Sequence, residues 1–184
     1  EGRLTGRTRY QYRMPRSRDW ELLVDYQRDS LAPLAIDGTS NSLYALKKLD
    51  GRYALYRISL DGNRTEQLVA SSSKVDIDGI VRAGDGQKVI GYTYSEDRRR
   101  IVYFEPEYTR LADALSKALK LPLVVFVSTS ADGNKVLLFA ESDVDPGRYY
   151  LFDKRSKSLG EVVAARPQLA KRALAPVRAV WYPA

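Results

Sequence analysis

An Asp-Gly dipeptide recurs along this chain at nearly constant spacing, and this repeat constrains the fold more than any other feature. The three copies, Asp37-Gly38, Asp85-Gly86 and Asp132-Gly133, are separated by 48 and 47 residues. Each copy is followed by a short polar step and then by a run of apolar residues. Because Gly adopts positive φ without steric cost, Asp-Gly before an apolar run is typical of a hairpin turn. The spacing therefore predicts a structural unit that occurs three times.

The apolar runs around each dipeptide predict the strands of that unit. One run precedes each Asp-Gly, a second follows it, and a third begins after a charged turn. The three sets read LAPLAI, SLYAL and RYALYRISL; IDGIV, KVIGYTY and RRIVYFE; and PLVVFVS, KVLLFA and RYYLFD. The first and third units also share a last run, EQLVA at 66–70 and EVVAA at 161–165. Tyr and β-branched residues favour pleated, packed surfaces, so each unit is predicted to hold three or four short antiparallel strands.

Four-stranded units of about 40 to 50 residues that stack on one another are typical of β-propeller blades. A β-sandwich is the alternative, but a sandwich need not keep three turns and their partner strands in register. We therefore predict an all-β fold, a partial β-propeller of about three antiparallel blades plus a half-blade. The half-blade is assigned to 1–30, with RTRYQYRM and WELLVDYQ as its strands. The predicted blades span 31–70, 75–120 and 121–165.

The middle unit departs from this pattern. After IVYFEPEY its fourth strand is missing, and the segment PEYTRLADALSKALK takes its place. Tyr108, Leu111, Leu115 and Leu119 recur at spacings of three and four, which predicts an amphipathic helix with Pro106 in its first turn. Such a helix could contact a membrane or a partner. Packing on the flank of a blade is the more ordinary use, so we predict one short helical insertion there.

The composition limits the chemistry that this chain could perform. It contains neither Cys nor His, which excludes disulfides, thiolate metal sites and a Ser-His-Asp triad built from this chain alone. The hydroxyl-rich stretches at 71–74 and 128–133 lack a Gly-x-Ser-x-Gly elbow. The stretch at 84–88 lacks the spacing of a phosphate-binding loop. We predict no catalytic or cofactor-binding residue and no cofactor, so this chain alone is not expected to be an enzyme.

Two pairs of aspartates suggest a metal site at first sight. Asp76 and Asp78, and likewise Asp143 and Asp145, resemble the start of a calcium-binding loop. Neither pair continues with the further oxygen ligands and the distal Glu that such a loop needs. Asp and Gly are also the usual residues of turns. The prediction is therefore turn chemistry and no metal site.

The net charge of +7 raises the question of an anionic partner. The chain has 30 Lys and Arg against 23 Asp and Glu, and a basic surface attracts nucleic acid and anionic membranes. The basic residues are scattered, however, which favours a solvated surface, and we predict neither nucleic acid nor membrane as a partner. Only Arg98-Arg99-Arg100 forms a run, and it follows Glu96-Asp97 as in a charged hairpin tip. No signal-like segment is visible, so cytoplasmic and periplasmic localisation both stay open.

The C-terminal third contains a series of short motifs: Asp145-Pro146-Gly147, Tyr149-Tyr150-Leu151-Phe152-Asp153, Ala165-Arg166-Pro167, Leu169 and Leu174-Ala175-Pro176-Val177-Arg178. These motifs resemble the last propeller blade and connector of the prolyl oligopeptidase family of serine peptidases. The bacterial acylaminoacyl-peptidase and dipeptidyl-aminopeptidase-like members are the most similar. The helix-bearing segment and SLYALKKLDGRYALYRISLDG also resemble an insertion and a blade of that family. Ala179 stands where the family often has Pro.

This resemblance implies a function for the propeller that is not catalytic. Residues 166–184 would connect to an α/β-hydrolase domain beyond this chain, and that domain would supply the Ser, Asp and His. The reading frame would then continue past Ala184 with a Gly-x-Ser-x-Gly elbow. The propeller would restrict access to the active site of a peptidase that hydrolyses short peptides. The alternative is a self-contained β-propeller module for protein interaction, closed by pairing its ends. A fragment would instead expose sheet edges, and we predict a homodimer through those edges.

Overall fold

The structure, a computed structural model, describes residues 8–13, 17–83, 86, 88–169, 172–180 and 182. The chain divides into two compact units, Glu1–Asp78 and Gly79–Ala184, and each is described by itself. The first unit holds β1 (Arg9–Tyr12), β2 (Glu21–Asp25), α1 (Tyr26–Asp29), β3 (Leu31–Asp37), β4 (Ser42–Leu49), β5 (Arg52–Ser59) and β6 (Glu66–Ala70). Most of β7 (Ile77–Ala83) lies in the second unit, followed by β8 (Lys88–Ser95), β9 (Arg99–Tyr103), α2 (Pro106–Leu119), β10 (Leu123–Thr129), β11 (Lys135–Glu141), β12 (Arg148–Asp153) and β13 (Ser158–Ala164).

The first unit contains a two-stranded and a four-stranded antiparallel sheet. β1 pairs with β2, and the larger sheet has the order β3-β4-β5-β6, so each strand lies beside its neighbour in sequence. Pro33 is tolerated inside β3 because β3 is an edge strand and its register shifts between Pro33 and Ala35. The core of this unit consists of buried aliphatic side chains. They are Leu23, Val24, Leu31, Leu43, Ala45, Ile58 and Leu60.

The second unit contains one three-stranded and one four-stranded antiparallel sheet. Their orders are β7-β8-β9 and β10-β11-β12-β13. Their apolar side chains and Leu115 of α2 form one core cluster, which also includes Ile90, Phe126 and Leu138. Tyr108, Leu111 and other partly buried side chains pack against this cluster. The helix therefore belongs to the core of the sheets that flank it in sequence, as its apolar spacing predicts.

Two of the predicted Asp-Gly turns lie within the described residues, and both use the carboxylate of Asp. Asp37 Oδ1 accepts the N–H groups of Thr39 and Ser40, each at 2.9 Å, and so closes the turn between β3 and β4. Asp132 closes the turn between β10 and β11 in a similar way, with Gly133 at φ +70°. In the first turn the positive φ falls on Asn41 rather than on Gly38. Asp85 of the second turn lies outside the described residues.

The two short helical turns were not predicted from the sequence. The strand predicted over WELLVDYQ ends at Asp25, because the N–H of Asp25 is bonded to the Asp29 carboxylate at 2.9 Å and α1 begins. The second turn is a 3₁₀ helix at Pro167–Leu169. The predicted insertion is found as α2, which begins with Pro106 and ends before Lys120, whose φ is +57°. Among the described helices, none has the length and apolar content to cross a membrane.

The predicted fold class is confirmed. The sheets are antiparallel, their strands follow one another in sequence order, and the order of half-blade, four, three and four strands matches a partial β-propeller with a helical insertion. The domain boundaries stay predictions. Residues 172–180, part of the predicted connector, form no helix or strand, and Trp181 lies outside the described residues.

Candidate functional site

The sheet β7-β8-β9 ends on an open edge, and this edge distinguishes it from the two four-stranded sheets. β5 is covered by β6, and β12 is covered by β13. Among the described residues, β9 pairs with β8 alone. Only Phe104 and Glu105 separate β9 from α2, so the chain turns into a helix at the point where the other sheets receive their fourth strand.

The hydrogen bonds of β9 show which backbone groups face this edge. The N–H of Phe104 donates to the carbonyl oxygen of Ile90 at 2.9 Å, so Phe104 points its backbone groups toward β8. Neighbouring residues of an antiparallel strand point their N–H and C=O groups to opposite sides. The backbone groups of Ile101 and Tyr103 therefore point away from β8, toward the open edge. Such a row of groups is a template for another strand.

The helix forms because its local sequence opposes a strand. Pro106 has no backbone N–H, which the first helical turn does not need, and its fixed φ suits the start of a helix. The apolar stripe then places Leu115 in the core, where it is 4% exposed. At the other end, the Ser116 hydroxyl donates to the carbonyl oxygen of Leu121 at 2.7 Å and holds the turn into β10. α2 thus contacts β9 and β10 without adding a strand to β9.

A cleft of about 980 Å³ lies along this edge. Its walls are the β8–β9 hairpin at 97–101, α2, the start of β10 at 122–124, the end of β11 at 141–143, and the segment 177–179. The volume is at the upper end of the range for small-molecule pockets, about 300–1,000 Å³. Part of the extended strand β9 forms one of its walls.

Tyr103 anchors the inner end of the cleft. Its ring lies 5.3 Å from that of Phe126 and 6.2 Å from that of Tyr108, between centroids. Its hydroxyl donates to the carbonyl oxygen of Val124 at 3.4 Å. Burial raises the pKa of Tyr103 well above its ordinary value, so the hydroxyl stays protonated and keeps its role as donor. The side chain is therefore a fixed part of the wall.

Three arginines line the outer end of the cleft. Arg98 and Arg100 form ion pairs with Asp97 at 3.5 and 3.2 Å, and the guanidinium of Arg99 donates to the Thr93 hydroxyl at 3.0 Å. Burial opposes the ionisation of Asp97, but the hydrogen bond and charge of Arg100 outweigh it and lower the pKa of Asp97. The ion pairs are exposed and lie within one hairpin, so each contributes little, typically about 0–1 kcal/mol. Arg98 and Arg100 can consequently exchange these ion pairs for a ligand that offers better-placed acceptors.

The opposite walls carry acidic groups. Asp113 lies on α2, and Glu141 and Asp143 lie at the end of β11. Asp143 accepts the N–H of Val177 at 3.0 Å, which holds the segment 177–179 at the rim. The β8–β9 hairpin thus carries more basic than acidic side chains, whereas α2 and the end of β11 contribute acidic ones.

The aspartates that suggested a metal site have structural partners. Asp76 Oδ1 accepts the N–H of Tyr53 at 2.7 Å, Asp145 Oδ1 accepts the N–H of Gly147 at 3.0 Å, and Asp143 holds Val177. Within the described residues, no group of three or more Asp and Glu side chains is arranged to hold a metal ion. The structure brings Asp143 alone of the four to the cleft.

The hydroxyl-rich stretches also serve turns. The Ser72 hydroxyl oxygen accepts the N–H groups of Lys74 and Val75, at 3.1 and 3.3 Å. The Ser130 hydroxyl donates to Asp132 at 2.6 Å, and this bond is the main cause of the lowered pKa of Asp132. Neither serine lines the cleft. Sequence reasoning missed the cleft itself, although the missing fourth strand of the middle unit was its signal.

The comparisons with known proteins give little beyond the fold. No protein-family model matches the chain, and no curated protein matches it. A solved structure that matches is the crystal structure of TolB from Acinetobacter baumannii, with 14% sequence identity and a TM-score of 0.45. The match covers 79% of this chain and 35% of the TolB chain, so this chain spans about a third of that protein's length.

The resemblance to the prolyl oligopeptidase family is wrong. No family model and no curated protein supports a peptidase, and the solved structure that matches is TolB rather than a member of that family. The motifs behind the resemblance are explained by local structure. Asp145-Pro146-Gly147 forms a turn whose Gly has φ +94°, and Tyr149–Asp153 is part of β12. Such turns and apolar strands recur in unrelated antiparallel sheets and do not specify a family.

Proposed function

We propose that this protein is an interaction module that holds an extended segment of a partner protein along the open edge of β9. The observation that carries the proposal is the edge itself: within the described part of the chain, β9 has no fourth strand like those of the two four-stranded sheets, and a cleft borders it. Strand addition to an exposed edge is a common mode of peptide recognition, in which backbone hydrogen bonds supply affinity.

The energetics favour a modest affinity. Each new hydrogen bond contributes about 0.5–1.5 kcal/mol net, and the peptide loses conformational entropy as it becomes extended. We expect a Kd of roughly 10–1,000 μM for a short peptide, which corresponds to about 4–7 kcal/mol. The apolar surface of Ile101, Leu123 and Val124 at the cleft adds contacts for the side chains on one face of the bound strand.

Amide hydrogen exchange, followed by NMR, tests this proposal without altering the protein. The probe is a synthetic peptide with the sequence of β13, SLGEVVA, because β13 is a natural fourth strand of this chain. In the free protein, the amides of Ile101 and Tyr103 should exchange faster than those of Val102 and Phe104, which point toward β8. Saturating peptide should slow exchange at Ile101 and Tyr103 at least tenfold.

The internal controls are Val102 and Phe104, whose exchange should change much less. A second control is the same peptide with N-methyl groups on alternate residues, which removes the donors that one edge of the strand needs. If the SLGEVVA peptide leaves exchange at Ile101 and Tyr103 unchanged, strand addition at β9 is wrong. It is also wrong if two N-methylated peptides, one methylated at the odd and one at the even positions, both bind as tightly as the unmethylated peptide.

A further inference from the structure

The two complete sheets show what chemistry a fourth strand of this protein carries. In the sheet of the first unit, Glu66 of β6 pairs with Lys47 Nζ at 2.7 Å, and Gln67 accepts a hydrogen bond from Arg57 at 2.8 Å. In the last sheet, Glu161 of β13 pairs with Arg148 at 3.2 Å. Both fourth strands therefore supply acceptors to basic side chains of their own sheet.

The open sheet has the basic side chains but not the strand. Arg98, Arg99 and Arg100 stand at the beginning of β9 and line the cleft. The side chains of Arg98 and Arg100 are 67% and 49% exposed, although both contact Asp97. One carboxylate between two exposed guanidinium groups leaves an excess of positive charge at this end of the edge.

We infer that the partner segment bound by β9 is acidic, with a Glu or Asp side chain that pairs with the arginines at 98–100. This inference rests on the proposed function, because the carboxylate is placed by the strand that carries it. The acidic groups of the other walls, Asp113 and Glu141, repel a second carboxylate there. The partner is therefore expected to carry its acidic residue near the β8–β9 turn and neutral or basic residues farther along the edge.

Peptide pairs of matched length test the inference by fluorescence anisotropy. The probes are SLGEVVA and SLGKVVA, which differ only in the charge at the position of Glu161. An exposed ion pair contributes about 0.2–1 kcal/mol, and the Lys peptide adds repulsion, so the Glu peptide should bind about three- to tenfold more tightly. Raising the salt concentration from about 50 to about 500 mM should reduce this ratio, since exposed charges are screened.

A double variant tests whether these arginines cause the preference for the Glu peptide. Arg98→Gln with Arg100→Gln should reduce the preference for the Glu peptide to less than twofold. Arg155→Gln with Lys157→Gln is the matched control, because it removes the same charge from an exposed turn outside the cleft. The control should retain the full preference.

The outcomes separate the two proposals. If both peptides protect the amides of Ile101 and Tyr103 but bind with equal affinity, strand addition stands and the acidic preference is wrong. If the Arg98/Arg100 variant keeps its preference for the Glu peptide, the inference is also wrong, because the arginines would then not be the source of that preference. If neither peptide protects those amides, the proposed function itself fails.

Discussion

At the scale of single residues, Gly91 is a position in the sheet β7-β8-β9 where a side chain would collide with the backbone of the neighbouring strand. A Cβ at Gly91 would overlap the carbonyl oxygen of Val102 and lie 3.1 Å from the α-carbon of Tyr103. Gly91 pairs with Tyr103, so the close approach of β8 and β9 depends on a missing side chain. The backbone at Gly91 is not in the left-handed region, so the constraint is purely steric.

We expect Gly91→Ala to lower the free energy of unfolding by about 1–3 kcal/mol, because β9 must move away from β8. Urea denaturation followed by circular dichroism measures this change. Gly160→Ala on β13 is the control, since a Cβ at Gly160 meets no atom within 4 Å, and it should change stability by less than about 0.5 kcal/mol. Equal stability of the two variants would contradict the close approach of β8 and β9.

At the scale of elements, α2 replaces a fourth strand, and its stability comes from one buried stripe. Leu115 is the buried residue of the helix, and Tyr108, Leu111 and Leu119 pack around the same core. Isolated helices of this length are marginal in water, so packing rather than propensity keeps α2 in place. The wall that α2 contributes to the cleft therefore depends on the core contacts of this single helix.

Leu115→Ala should lower the free energy of unfolding by about 3 kcal/mol, through lost apolar contacts and a residual cavity. Thermal or urea denaturation checks the value. Lys117→Ala is the matched change on the exposed side of the same helix and should cost less than about 0.5 kcal/mol. If the two variants lose equal stability, α2 is not held by its apolar stripe.

At the scale of the whole molecule, the edges of the sheets decide how copies of the chain meet. β13 is an edge strand whose Val162 and Val163 are 56% and 54% exposed. Exposed apolar edge strands promote pairing between molecules. Homodimerisation through the sheet edges stays a prediction, and β13 is the edge at which we expect it.

Val163→Lys should weaken concentration-dependent association at least tenfold, because a charged edge residue opposes strand pairing. Sedimentation velocity over a range of protein concentrations measures the dimerisation constant. The control is Val144→Lys, which introduces the same charge at an exposed residue of the loop between β11 and β12. It should leave association unchanged. A chain that stays monomeric at every concentration would refute this prediction.

Much of the strand pattern could be predicted because it depends on local chemistry. The Asp-Gly turns, the strand EQLVA and the helix beginning at Pro106 all follow from residues within a few positions of one another. The one-turn helix α1 was missed because it depends on the bond between the Asp25 N–H and the Asp29 carboxylate, which competes with an otherwise good strand sequence. The family resemblance failed because turn and strand motifs of this kind are shared by unrelated β-proteins.

The sequence by itself determined the class of the fold and the absence of a fourth strand after β9. Both follow from short-range preferences: apolar runs between turn residues, and a proline followed by an amphipathic stripe. Only the tertiary structure decided that α2 packs beside β9 without pairing with it as a strand, and that residues as distant as Arg98, Asp143 and Val177 meet around one cleft. Contacts between distant segments arise from the packing of whole sheets and the helix, and no local pattern in the sequence encodes them.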